Sequence, residues 1–145
     1  MSCVDDYFLS MNFKFGKSSE EKLQTVRPEL ADVARKALEL SSIDFGITEG
    51  LRSEQKQKQL VSEGASKTMK SKHLTGHAID IVCYADGKIT WDLEHYQTAA
   101  YAFGLASKEL NVQIRWGGNW SGYKTGDFKL DPNNKFVDAV HFELV

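Results

Sequence analysis

The sequence predicts an α+β fold with helices packed on a small antiparallel sheet. Three observations point there. Segments 28–40 and 92–110 place apolar residues at helical spacing, several short runs rich in β-branched residues read as strands, and a tight turn joins two of those runs as a hairpin. At 145 residues the chain is expected to form one domain around one core.

Residues 1–10 are expected to be a loose N-terminal extension, and 11–145 the folded domain. Ser18-Ser19-Glu20-Glu21 offers an N-cap and a capping box, Ser18 with Glu21. Pro28 suits the first turn of a helix reaching about Leu40, with Leu30, Ala34, Ala37 and Leu38 on one face. Phe45-Gly46-Ile47-Thr48 reads as a strand. Ser53 is a good N-cap for a helix through Glu63, which Gly64 stops. The run Ala78-Ile79-Asp80-Ile81-Val82-Cys83 reads as a strand, and Ala85-Asp86-Gly87-Lys88 turns it back into a second one ending at Trp91. Asp92 to Leu110 reads as a helix with Leu93, Tyr96, Ala100, Phe103 and Ala106 along a face. Val112–Trp116 is a strand, 117–137 a long loop, and His141–Val145 a last strand. The site is expected at the strand ends.

Asp80 is the anomaly in this pattern. With Ile79 and Ile81 on one face of their strand, Asp80 shares the other with Ala78 and Val82. A carboxylate there is costly unless paired, hydrogen-bonded or bound to a metal, although a solvated face would also accommodate it. His73 lies seven residues earlier, across Thr75-Gly76, where glycine lets the chain reverse. His141 opens the last strand, sharing a face with Glu143 and Val145. Two histidines and a carboxylate can form an open zinc site. A further carboxylate could then work on water, but spacing does not choose among Asp127, Asp131 and Asp138. His77 and His95 read as ordinary surface or core histidines. Glu143 could orient a ligand or be a solvated edge charge, and both readings stay open.

Ser71-x-His73-x-x-Gly76-x-Ala78-x-Asp80 with a distal Asp138-x-x-His141 resembles the zinc peptidases of the D-Ala-D-Ala carboxypeptidase and hedgehog-like fold. Within that group the chain is most similar to the small phage endolysins that are L-alanyl-D-glutamate peptidases. The resemblance runs from about Asn12 to Val145. It takes in Phe13-Lys14-Phe15-Gly16-Lys17-Ser18, Gly50-Leu51-Arg52-Ser53, Ile114-Arg115-Trp116-Gly117-Gly118 and His141-Phe142-Glu143-Leu144-Val145. It implies zinc on His73, Asp80 and His141, with Asp138 as the catalytic carboxylate. It also implies that Arg52 faces the substrate carbonyl and that Ser71 lies close to substrate. A family glutamine follows the arginine, and here Gln55, Gln57 and Gln59 compete for that place. One departure concerns calcium. Some relatives carry an acidic loop after the Trp-Gly segment, but Asn119–Asp127 has one acid and one lysine, so calcium regulation is not expected.

A net charge of -2 gives no reason to expect nucleic acid as a partner, which usually leaves a basic patch. Lys67, Lys70 and Lys72 do cluster beside the proposed site, either as a solvated loop or as an attraction for an anionic peptide. Two cysteines, Cys3 and Cys83, suggest no disulfide framework. No membrane-spanning stretch is seen, and the acidic start, Met1 to Asp6, lacks the pattern of a signal peptide. The expectation is therefore a monomer made in the host cytoplasm that depends on a holin to reach the periplasm and the cell wall. The function the resemblance implies is zinc-dependent cleavage of the peptidoglycan stem peptide at the L-alanyl-D-glutamate bond, for host lysis. The alternatives are a zinc D-Ala-D-Ala carboxypeptidase or dipeptidase, and a zinc-binding module without catalysis.

Overall fold

A computed structural model describes residues 13–66, 68–133 and 137–145 of the chain. The extension 1–10, the start at Met11-Asn12 and Lys67 lie outside the described residues.

The first helix, α1, spans Lys17–Leu23 and starts from extended backbone at Gly16 with no side-chain cap. The expected capping box does not form. Ser18 already has helical backbone, whereas a cap residue must be non-helical, and its Oγ instead accepts from Lys22 Nζ at 2.7 Å. Helix α2, Pro28–Leu40, has proline at its start and buries Leu30, Ala31, Val33, Ala34, Ala37 and Leu38. Helix α3, Glu54–Ser62, is capped by Ser53, whose side chain accepts from Lys56 N at 3.1 Å. Helix α4, Leu93–Leu110, buries Tyr96, Ala100, Phe103 and Ala106 as their spacing predicts. Leu93 departs from that face and is exposed. Behind it His95 bonds Thr90 of β3, and the Tyr96 phenol oxygen accepts from Cys83 N and donates to Thr90 O.

The strands are β1 (Asp44–Glu49), β2 (Ala78–Ala85), β3 (Lys88–Thr90), β4 (Ile114–Trp116) and β5 (His141–Leu144). Their order is β1-β2-β5-β4, and every pairing is antiparallel. β3 forms the expected hairpin with β2 but stops at Thr90, leaving Trp91 outside the strand and exposed. β2 is thus central, with β1 on one side and β5 and β3 sharing the other.

Alternation sorts the two faces. Ile79, Ile81 and Cys83 of β2, Ile114 and Trp116 of β4, and Phe142 and Leu144 of β5 join the core with the helices. Phe142 stacks on Phe103 of α4 with ring centroids 3.8 Å apart, and Phe103 meets Phe45 of β1 at 5.4 Å. The opposite face carries the polar residues. Asp80 pairs with His141, and two residues along, Glu143 lies between Ala78 and Arg115. A bulge in β1 between Ile47 and Glu49 brings Glu49 opposite Asp80. Such bulges re-aim side chains near functional sites.

Phe142 is the core residue next to His141, and it is fully buried. Phe142→Ala is expected to destabilise the protein by about 3–5 kcal/mol, the usual cost of emptying a buried aromatic site. Urea unfolding followed by circular dichroism checks it, and a loss under 1 kcal/mol would mean that the aromatic stack carries little of the fold.

Candidate metal centre

The stretch between α3 and β2 is built to turn. Ser71 starts a 3₁₀ turn over Lys72–Thr75, its Oγ accepting from His73 N at 3.2 Å. Gly76 ends that turn in left-handed backbone (φ 73°), which glycine adopts without strain. The chain then enters β2 directly, so His73 folds back over the strand that carries Asp80.

His73, Asp80 and His141 converge. His73 Nε2 and His141 Nδ1 each lie 3.2 Å from Asp80 Oδ1. One potential ligand atom from each of the three residues falls within 4.8 Å of the others. Among the described residues this is the one His/Cys/Asp/Glu cluster that could hold a metal. The outward nitrogens are occupied. His73 Nδ1 donates to Gly50 O at 2.9 Å, and His141 Nε2 donates to Glu143 Oε1 at 2.8 Å. Partners of this kind orient ligating imidazoles and raise their basicity, so the donor set fits a metal held by two nitrogens and one carboxylate oxygen. Glu143 is buried against His141, so it is not the solvated edge charge of the other reading. His77 and His95 stand apart, bonded to Thr75 and Thr90.

Burial penalises the charged forms in this cluster, yet mutual bonding prevails. Asp80 is held well below the usual carboxylate range because His141 and His73 both bond it. His141, although buried, is pushed up to about 9 by its bonds to Asp80 and Glu143.

The other oxygen of Asp80 faces Arg52, with Oδ2 3.9 Å from Nη2. Arg52 is fixed on its remaining sides. Its Nε donates to Glu49 Oε1 at 2.6 Å, Nη2 bonds the same oxygen, and Nη1 donates to Gln57 Oε1 at 2.7 Å. Gln57 is thus distinguished from Gln55 and Gln59. It is the one buried residue of α3, and its Nε2 donates to Ser66 Oγ and Thr68 O.

Asp138 sits in the turn before β5, outside the gathered cluster. Its N–H donates to Gly117 O, and its carbonyl accepts from His141 N, both at 3.0 Å. Gly117 must lack a side chain there, because a Cβ would lie 2.1 Å from Asp138 O. Burial pushes the Asp138 carboxyl up, Asp80 adds to that, and the positive charges of His141, His73 and Arg52 offset part of it. All four charges belong to the cluster or its arginine, so Asp138 lies within the field of the site. Asp127 and Asp131 do not compete, since each caps a loop turn through Oδ1, to Lys129 N and Asn133 N.

Three features escape a sequence reading. Glu49 clamps Arg52, the Gly50 carbonyl fixes His73, and the Trp120 ring lies 5.6 Å from that of His141. The acid three residues before Arg52 was the available signal for the first, while Trp120 sits in a loop with no periodicity.

Comparison with known proteins gives a consistent result. Residues 11–145 match the family model described as phage L-alanyl-D-glutamate peptidase. The chain is 45% identical to the L-alanyl-D-glutamate peptidase of Escherichia phage T5 over 93% of its own length and 100% of that protein's. It is 29% identical to the peptidoglycan L-alanyl-D-glutamate endopeptidase CwlK of Bacillus subtilis, over 70% of this chain and 69% of that one. Among solved structures, the Serratia marcescens L-Ala D-Glu endopeptidase ChiX superposes with a TM-score of 0.79 at 36% identity, covering 92% of this chain and 91% of that chain.

The raised His141 predicts how the metal-free protein responds to pH. A group whose pKa is raised on folding stabilises fully below its unfolded value, about 6.5 for histidine. That contribution is lost as pH climbs through about 9. The urea midpoint of chelator-treated protein should therefore fall between those two values, and His141→Ala should flatten the fall. A midpoint that rises over the interval would contradict the bonding described.

Proposed function

The chain belongs to the phage L-alanyl-D-glutamate peptidase family, and on that footing we propose that it is a zinc-dependent endolysin cutting the L-alanyl-D-glutamate bond of the peptidoglycan stem peptide. The observation that carries this reading is the gathering of His73, Asp80 and His141 around one point, with Arg52 against the far oxygen of Asp80. Two imidazole nitrogens and a carboxylate make the three-ligand set of a catalytic zinc, which keeps a fourth position open. Zinc, when bound, supplies a Lewis acid and lowers the pKa of water to about 7.

The remaining work falls to this chain's own groups. Asp138 takes the proton of the attacking water and later delivers it to the leaving amine. Burial raises its affinity for that proton, which suits a carboxyl that must hold it between the two steps. Arg52 faces the scissile carbonyl and stabilises the charge that develops on its oxygen. Because Glu49 and Gln57 already hold the guanidinium, little reorganisation is needed when that charge appears. Ser71 shapes the His73 turn through its Oγ and stands at the margin where the peptide would lie. The peptidase domain is 11–145, and the protein acts as a monomer. Among the described residues no helix is long and apolar enough to cross a membrane. A holin is proposed to open the way from host cytoplasm to cell wall.

Mass spectrometry of digested peptidoglycan separates this reading from its alternative. New N-terminal D-glutamate is expected, and release of D-alanine would instead favour a D-Ala-D-Ala carboxypeptidase. The relatives named above are L-alanyl-D-glutamate enzymes, which supports the first outcome.

Two variants test the division of labour. His141→Ala should lose its zinc and its activity together. Asp138→Asn should keep zinc and fold while losing rate by roughly 10²–10⁴, the usual worth of general acid–base catalysis. Metal analysis beside kcat decides both, and loss of zinc from Asp138→Asn would make that residue a ligand.

A further inference from the structure

We infer that Lys72 is a positioning residue for the metal centre, clasping the turn that bears His73 onto the strand that bears His141. The inference rests on the metal reading above. Lys72 begins the 3₁₀ turn and is followed immediately by His73. Its Nζ reaches across to β5, where it donates to Leu144 O and lies 3.3 Å from Glu143 Oε2. It is therefore not the freely solvated loop charge that its place in a lysine cluster suggests.

The geometry gives this contact a task. The turn's other tie to β5 is at His77, whose carbonyl accepts from Leu144 N at 2.8 Å. Gly76 lies between that tie and His73. On its other side the turn is held to the segment after β1, where Arg52 N donates to His73 O and His73 Nδ1 donates to Gly50 O, both at 2.9 Å, so the ties to β5 set how closely this held turn approaches His141. Lys72 supplies the second tie, on the far side of His73. The acceptor matters as well. Glu143 holds His141 Nε2 through Oε1 while Oε2 faces Lys72 and, at 3.8 Å, Arg115 Nη1. One carboxylate thus links the ring of one ligand to the turn that carries the other. Lys72 sets the separation of His73 and His141 before any metal arrives.

Lys72 is partly exposed, at 38% of its side chain, and an ion pair so placed adds little to global stability. A positioning role and a merely structural one therefore diverge in experiment. Zinc affinity is measured by competition with a chromophoric chelator for the wild type, Lys72→Met and Lys72→Arg, beside metal-free melting temperature and KM for a stem peptide. For Lys72→Met we expect zinc affinity to fall about tenfold or more, as for other partners that orient ligands, with melting temperature and KM unchanged. Lys72→Arg should recover most of the affinity, since it keeps the charge and the reach. Wild-type zinc affinity in Lys72→Met overturns the inference. So does a raised KM with intact zinc affinity, which would make Lys72 a contact for an anionic peptide. A large drop in metal-free melting temperature, matched in Lys72→Arg, also overturns it. A wild type that binds no zinc would fail the metal reading itself, which separates the two failures.

Discussion

A carboxylate set into the central strand of a sheet has to be answered by positive or hydrogen-bonding groups, and Asp80 makes this demand on the whole molecule. Its strand is paired on both sides, and its neighbours on the same face are Ala78 and Val82, which offer nothing polar. The partners must come from elsewhere. Antiparallel register brings His141 directly opposite, a reversing turn brings His73 from above, and a bulge in β1 admits Glu49 and Arg52 from the other side. A slip of one residue in β2 would send Asp80 into the apolar core and Ile79 or Ile81 outward. Sheet register and site geometry are thus one constraint.

The two oxygens of Asp80 divide the site. Oδ1 faces the histidines and Oδ2 faces the arginine. The two histidines and the arginine therefore meet on a common carboxylate, and Glu49, which bonds Arg52, also lies 4.0 Å from His73 Nδ1. Asp138 stands outside this arrangement, raised by burial rather than lowered by close bonding. On the proposed reading, burial would suit Asp138 to gain and lose a proton, whereas the bonds from His141 and His73 hold Asp80 as an anion.

Much of this was legible in the sequence wherever short-range chemistry decides it. The proline start of α2, the Ser53 cap, the Asp-Gly hairpin and the alternation in β2 and β5 depend on neighbours within a few residues, and they stand as read. The motif around His73 and Asp80, with distal His141, was legible because its spacing is specific. The failures at the site were tertiary. Nothing local separates Gln57 from Gln55 and Gln59. Burial selects it because Arg52, Ser66 and Thr68 converge on one side of α3. Glu143 could not be told from an edge charge until Lys72 and Arg115 were seen to enclose it. The capping box at Ser18 failed because Gly16 let the helix begin earlier.

The ligands are unevenly spread along the chain. His73 and Asp80 are 7 residues apart, whereas Asp80 and His141 are separated by 61. An ion joining all three would act as a cross-link, closing a loop that contains the hairpin, α4 and β4. In the chain-entropy treatment of such closures, a loop of that size reduces the freedom of the unfolded chain by an amount worth about 4 kcal/mol. The same three side chains would then act as a removable staple. Metal availability would govern how readily β5 peels from β2, and with it how long the protein resists proteolysis.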